Sequence, residues 1–323
     1  MKQLLFGLTL LGAALFLGAG CDQQPTPSEQ TSHASHVIAV IPKSTNLVYW
    51  QSVLAGAQQA GKDYGYTIDW KGPDRETNSA SQIQIVNDAI AQSVEGVVLA
   101  PVDRQALAPV VNTLAAAKIP CAIIDSGVDA VQFITFASTD NYQGGVVAAR
   151  RMGDILGGKG KVAIVRHIAG SHSTAKRVSG FTDTIANEFP GIKIVDSESG
   201  QDTVEQARQA TADLLARNAD LQGIFTCNIT TSVGALEALQ HAKRQVRLVA
   251  FDPDKALLEG LRAGQVAAII LQNPYKMGYE GVKAVALHNN GQSSPRLIDT
   301  GIEVVTSESL TDPNIIRLLG LQQ

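Results

Sequence analysis

Six polar or charged residues punctuate this chain where apolar runs end. Lys43 follows Val37–Ile41, Asp125 closes Cys121–Ile124, and Arg177 lies in the segment after Lys161–Val165. Asn228 follows Gly223–Cys227, Asp252 follows Val249–Phe251, and Gln272 follows Ala267–Leu271. Asp202 lies in a polar loop of the second half. A polyol demands such a mixture. Each hydroxyl donates once and accepts twice, carboxylates accept, Lys and Arg donate, and Asn and Gln do both. Bonds to charged groups are the stronger ones. A sugar ring also offers an apolar face that suits an aromatic plate. Aromatic residues are only 5% of the chain, so the adjacent pair Tyr49-Trp50 in a loop-to-helix position is informative. Asp125 and Asp252 could equally cap turns or helices. Their symmetric placement favours ligand contact.

The elements that would hold these residues alternate. Strands are expected at Val37–Ile41, Tyr66–Trp70, Gly96–Ala100 and Cys121–Asp125, with helices at about 48–64, 80–93 and 107–117. Short continuous apolar strands separated by helices imply parallel sheets covered on both faces. The order then repeats. Strands at Lys161–Val165, Lys193–Asp196, Gly223–Cys227 and Arg247–Phe251 alternate with helices at about 175–187, 204–216 and 231–240. Corresponding strands sit roughly 125 residues apart. The expected fold is α/β, with two similar doubly wound parallel-sheet lobes joined by a multi-strand hinge. The ligand cleft lies between them, at the carboxyl ends of the strands. The expected division is 37–140 plus 273–302 for the first lobe and 141–272 plus 303–323 for the second.

The amino terminus has a different character. Lys2, an apolar run from Leu4 to Leu17 and small residues before Cys21 make a secretory signal peptide over residues 1–20. The run is too short to span a bilayer, which needs about 20 residues. Cys21 resembles the lipid-bearing cysteine of a bacterial lipoprotein, although Gly18 stands three residues before it where Leu is usual. Residues 21–36 would then be a lipidated, flexible stalk, anchoring an extracytoplasmic domain to the membrane. Without the leader, 25 Lys+Arg stand against 30 Asp+Glu, a net charge of -5. A mildly acidic chain with no basic run is a poor candidate for binding nucleic acid. Cys121 and Cys227 fall in apolar runs of different lobes and read as small buried residues. The six His are scattered, with no metal-ligand spacing and no cofactor motif. Gly157-Gly158-Lys159-Gly160-Lys161 precedes a strand instead of following one. It is a turn and not a phosphate loop.

On these residues the chain resembles the periplasmic sugar-binding proteins of ABC transporters, the ribose-binding type, over nearly all of 37–305. The resemblance places Lys43 and Asn46 in the first ligand loop and Tyr49 and Trp50 where paired aromatics stack on the sugar. Asp125, Arg177 ahead of Ser179-Gly180-Phe181, Asn228, Asp252 and Gln272 take the family's other ligand positions. Two departures stand out. Ser126 replaces an arginine, and Gln201-Asp202 replaces a third aromatic, which makes Asp202 a ligand candidate and suggests a ligand other than ribose. The resemblance implies a monomer that hands a monosaccharide or related polyol to an ABC permease. A module presenting a sugar or autoinducer-2 to a membrane kinase or chemoreceptor is the alternative. No Ser-His-Asp order supports an enzyme. Asp125 with Asp252 could pose as a paired-carboxylate hydrolase only if the two flanked a scissile bond.

Overall fold

A computed structural model describes residues 36–319. The leader, Cys21 and the stalk lie outside the described residues. In chain order the elements are β1 (Val37–Ile41), α1 (Val48–Tyr64), β2 (Thr67–Trp70), α2 (Ser79–Ala91), β3 (Gly96–Leu99), α3 (Ala108–Ala116), β4 (Cys121–Ile124) and β5 (Thr135–Ser138). Next come α4 (Asn141–Leu156), β6 (Lys159–Arg166), α5 (His172–Glu188), β7 (Gly191–Ser199), α6 (Val204–Arg217), β8 (Gly223–Thr226), α7 (Ile229–Ala242), β9 (Arg247–Phe251), α8 (Lys255–Arg262) and β10 (Val266–Leu271). Then follow α9 (Pro274–Asn289), β11 (Leu297–Asp299), β12 (Glu303–Val305) and, after a 3-10 turn, α10 (Pro313–Leu318).

Two six-stranded sheets result, ordered β11-β5-β4-β3-β1-β2 and β12-β10-β9-β8-β6-β7. Omitting the outermost β11 and β12, both run second-first-third-fourth-fifth, the doubly wound order with a switch point between its first and third strands. Every pair is parallel except β10 with β12, which is antiparallel. The chain passes from the first sheet to the second after Ser138, back after Leu271 and over again after Asp299.

Alternation along the strands splits each sheet into two faces. In β3, Val98 faces α1 and α9, packing near Val53, Met277 and Val282. Val97 and Leu99 face α2 and α3, near Val86, Val111 and Leu114. The second sheet repeats the device. Val162, Ile164 and Phe225 pack on α4 and α5 beside Met152 and Phe181. Ala163, Val165 and Ile224 pack on α6, α7 and α8 beside Leu214, Leu236 and Leu257. Residues 36–319 belong to one compact unit that contains all four cores.

Local chemistry ends the elements where the strands need to start. Gly65 closes α1 and Gly157 closes α4 in the left-handed conformation. Gly157 and Gly158 form the turn into β6. Asp140 caps α4 by accepting from Gln143 N, and Asn273 caps α9 by accepting from Lys276 N. Helix α4 lies directly against α5, because a side chain at Gly145 would collide with the Arg177 carbonyl and one at Gly180 with the Tyr142 carbonyl. That close approach sets the height of Arg177 above the second sheet.

Candidate functional site

Both sheets point the carboxyl ends of their strands at the same space. Lys43 comes from the loop after β1, Glu76 from the loop after β2 and Asp125 from the end of β4. From the other side come Arg177 on the second turn of α5, Asn228 after β8, Asp252 after β9 and Gln272 after β10. These residues, with Tyr49 and Trp50 of α1, line one cavity between the sheets of about 30 Å³, room for about two waters at 10–15 Å³ each. A sugar ring is larger. Admitting one requires the lobes or the charged side chains to part.

The repeat is visible in the backbone. Asp125 has φ 59° and Asp252 φ 66°, so the same strand end is left-handed in both lobes. Among non-glycine residues Asp is one of the few that tolerates this conformation. Departures of this kind cluster where a site demands them. The turn rotates each carboxylate into the cavity.

Each aspartate there lies near a cation. Lys43 Nζ lies 2.7 Å from Asp125 Oδ2 and donates to Ser173 Oγ at 3.3 Å across the cleft. The Tyr49 hydroxyl donates to Asp125 Oδ1 at 2.8 Å. Burial alone would push the Asp125 carboxyl up, but Lys43 and Arg177 outweigh it and hold the carboxyl below its usual range. The Tyr49 hydroxyl is pushed well up by burial and by Asp125. In the second lobe Arg177 Nε donates to Asn141 Oδ1 at 2.7 Å and Nη1 to the Cys227 carbonyl at 2.8 Å. Its guanidinium sits 4.0 Å over the Phe251 ring and 3.7 Å from Asp252 Oδ2. That distance is too long for a direct bond, and burial raises the Asp252 carboxyl despite Arg177. Gln272 Nε2 donates to Asp252 Oδ1 at 2.7 Å, while Gln272 Oε1 is buried with no partner. Opposed acceptors and donors at these distances can trade their mutual contacts for ligand hydroxyls with little net desolvation.

Trp50 is 2% exposed and stands edge-on to Tyr49, centroids 4.9 Å apart at 85°. Its Nε1–H donates to Glu76 Oε1 at 2.8 Å, which fixes the indole plane. Asn228 lines the cavity and also caps α7, exchanging bonds with Thr231.

Two expected ligand residues stand elsewhere. Asn46 is exposed, and its amide donates to the Asp74 carbonyl at 3.0 Å. The loop from Pro42 turns at Ser44–Leu47, so this side chain leaves the cavity before α1 begins. Asp202 accepts from Arg75 Nε at 3.0 Å and Thr77 Oγ at 2.8 Å, so it clamps one lobe to the other at the rim. Ser126, which stands where the resemblance expects an arginine, is bonded across the cleft to Ser173. Glu76, Ser173, Asn141 and His167 were not singled out by the strand-end pattern. Glu76 lies well past the end of its strand, and Asn141 sits inside a helix start. Cys121 and Cys227 are free and buried on different sheets. Burial drives their thiols up, to about 12 and about 11. Asp103 accepts from Gln105 N and Ala106 N, so it closes a turn. Among the described residues no group of His, Cys, Asp and Glu could hold a metal ion, and no helix is long and apolar enough to cross a membrane.

Known proteins share this fold. A carbohydrate transporter solute-binding protein from Agrobacterium radiobacter, solved in complex with D-arabinose, is 33% identical and superposes with a TM-score of 0.86 over 89% of this chain and all of that one. An ABC transporter solute-binding protein from Agrobacterium vitis with bound D-fucose is 35% identical, with a TM-score of 0.83 over 86% of this chain and 98% of that one. A ribose import binding protein of Bacillus subtilis is 25% identical over 93% of this chain and 98% of its own length. The model of the periplasmic binding protein domain matches residues 38–293. With two doubly wound lobes facing each other across a charged cleft, the chain belongs to the periplasmic binding protein family.

Proposed function

We propose that this protein captures a monosaccharide or closely related polyol between its lobes and delivers it to an ABC-type importer from the outer side of the membrane. It is a binding protein and not an enzyme, as are its relatives. The observation that carries the reading is the pair of left-handed aspartates, Asp125 and Asp252, lining one cavity with Lys43 beside the first and Arg177 beside the second. Carboxylates held by cations in a cleft between hinged lobes suit vicinal hydroxyls. The unpartnered Gln272 Oε1 leaves one further acceptor for a hydroxyl proton. The relatives named above are carbohydrate, ribose and ABC-transporter binding proteins, which supports the ligand class and the partner. Closure of the lobes around ligand would create the surface the permease reads. Lipid on Cys21 would hold the protein at the membrane.

The test is a thermal-shift screen of residues 35–323, which contain all four cores, against pentoses, hexoses, deoxy-sugars, polyols and autoinducer-2. A ligand at 100 times its Kd adds about 2.7 kcal/mol of stability. A rise with one compound names the ligand. A flat panel, after unfolding and refolding to strip bound material, refutes sugar capture.

A further inference from the structure

His167 follows β6 on the second lobe and is 4% exposed. Both of its ring nitrogens are buried without a hydrogen-bond partner. Buried polar atoms are nearly always paired, so an imidazole with two unmet nitrogens, set directly behind the Glu76 wall of the cavity, calls for a partner. Glu76 reaches the same spot from the first lobe. Its Oε1 is used by Trp50, and its Oε2 lies 3.7 Å from His167 Nε2. That gap is too wide for a direct bond. Burial lowers His167 to about 3, so its ring is neutral and carries one donor and one acceptor. A single hydroxyl, able to donate once and accept twice, can bridge Glu76 Oε2 and His167 Nε2 by donating to the carboxylate and accepting from the ring.

We propose that Glu76 and His167, one from each lobe, form a subsite for one hydroxyl of the ligand on the Trp50 edge of the cavity, and that this pair discriminates the configuration at that carbon. The inference rests on the sugar-capture reading. It adds a specificity element that also couples recognition to closure, because the hydroxyl is held only when the lobes are together. The same carboxylate that orients the aromatic plate then orients the ring lying on it.

The test is calorimetric titration of residues 35–323 with D-ribose, D-arabinose, D-allose, D-fucose and D-tagatose, followed by monodeoxy analogues of the tightest binder. Glu76→Gln keeps an acceptor for Trp50 but removes the carboxylate. His167→Phe keeps a ring and removes both nitrogens. Each single variant is expected to weaken binding by about tenfold or more, and the double variant by little more than the worse single, since one hydroxyl is shared. One monodeoxy analogue that binds poorly to the parent is expected to lose that disadvantage in both variants. The urea midpoint of free His167→Phe is expected not to fall, which separates ligand contact from structural support. Dissociation constants within twofold of the parent, or an unchanged pattern of deoxy penalties, overturn the subsite while leaving sugar capture standing. No binding of any probe to the parent overturns both. If His167→Phe does not fold, Glu76→Gln carries the same deoxy comparison.

Discussion

Replacing Arg177 with methionine tests whether this residue is a pillar of the second lobe as well as a ligand group. The sequence alone suggests that truncating it would abolish binding and spare the fold. The structure says otherwise. Arg177 is 2% exposed and donates to Asn141 and to the Cys227 carbonyl while covering the Phe251 ring. A methionine keeps the apolar stem and loses the guanidinium. Each lost bond to a charged donor is worth about 1.5–3 kcal/mol, and unpairing a buried charge costs about 3–5 kcal/mol in total. These overlap, so the expected loss is about 3–5 kcal/mol in urea unfolding at pH 7. The pH dependence has a sign. The folded-state carboxyl of Asp252 is already raised, so its charged form costs stability at neutral pH, and that cost fades as pH falls toward its unfolded value of about 3.9. Removing Arg177 enlarges the cost. The deficit of Arg177→Met should therefore shrink between pH 7 and pH 4. Adding Asp252→Asn should recover about 1 kcal/mol or more relative to the sum of the singles. A loss under about 1 kcal/mol for Arg177→Met, or strict additivity in the double variant, would refute the claim that Arg177 holds the lobe through buried charge.

Two further outcomes follow from the packing and the charges. His167 is held neutral with a folded pKa of about 3 against 6.5, so its contribution is intact above pH 6.5 and lost as pH falls toward 3. At pH 5 this amounts to about 2 kcal/mol, and urea titrations should show His167→Phe losing that much less than the parent between pH 7 and pH 5. Parallel pH profiles would sink the argument. Gly145→Val should separate α4 from α5, because the new side chain meets the Arg177 carbonyl. Overpacking costs about 1–3 kcal/mol, and circular dichroism melts should show it, with sugar affinity falling as Arg177 shifts. An unchanged melting curve would mean that the helices can part freely.

The fold was legible because parallel strands buried on both faces leave continuous apolar runs, as in Gly96–Leu99 and Gly223–Thr226. The correspondence of β1 with β6, β3 with β8 and β4 with β9 was likewise plain, and it carried Asp125 and Asp252 to matching places. The short connecting elements were not. Strands β5, β11 and β12 are three or four residues long, and helix α4 carries glycines that its packing requires and helix propensity disfavours. Among the ligand candidates, those fixed by a strand end or by a helix face met in one cavity. Those on loops did not follow the same rule, and Asn46 turned to the Asp74 carbonyl while Asp202 turned to Arg75.

Sequence by itself determined which residue types line the strand ends and that two like lobes present them, because periodicity and turn chemistry are local. Only the tertiary structure decided their partners. Glu76 meets His167, and Lys43 meets Ser173, across separations of roughly 90 and 130 residues, set by how two lobes pack and not by any spacing along the chain. A loop side chain has no period to betray its direction, and its orientation is chosen by the surface it finally faces.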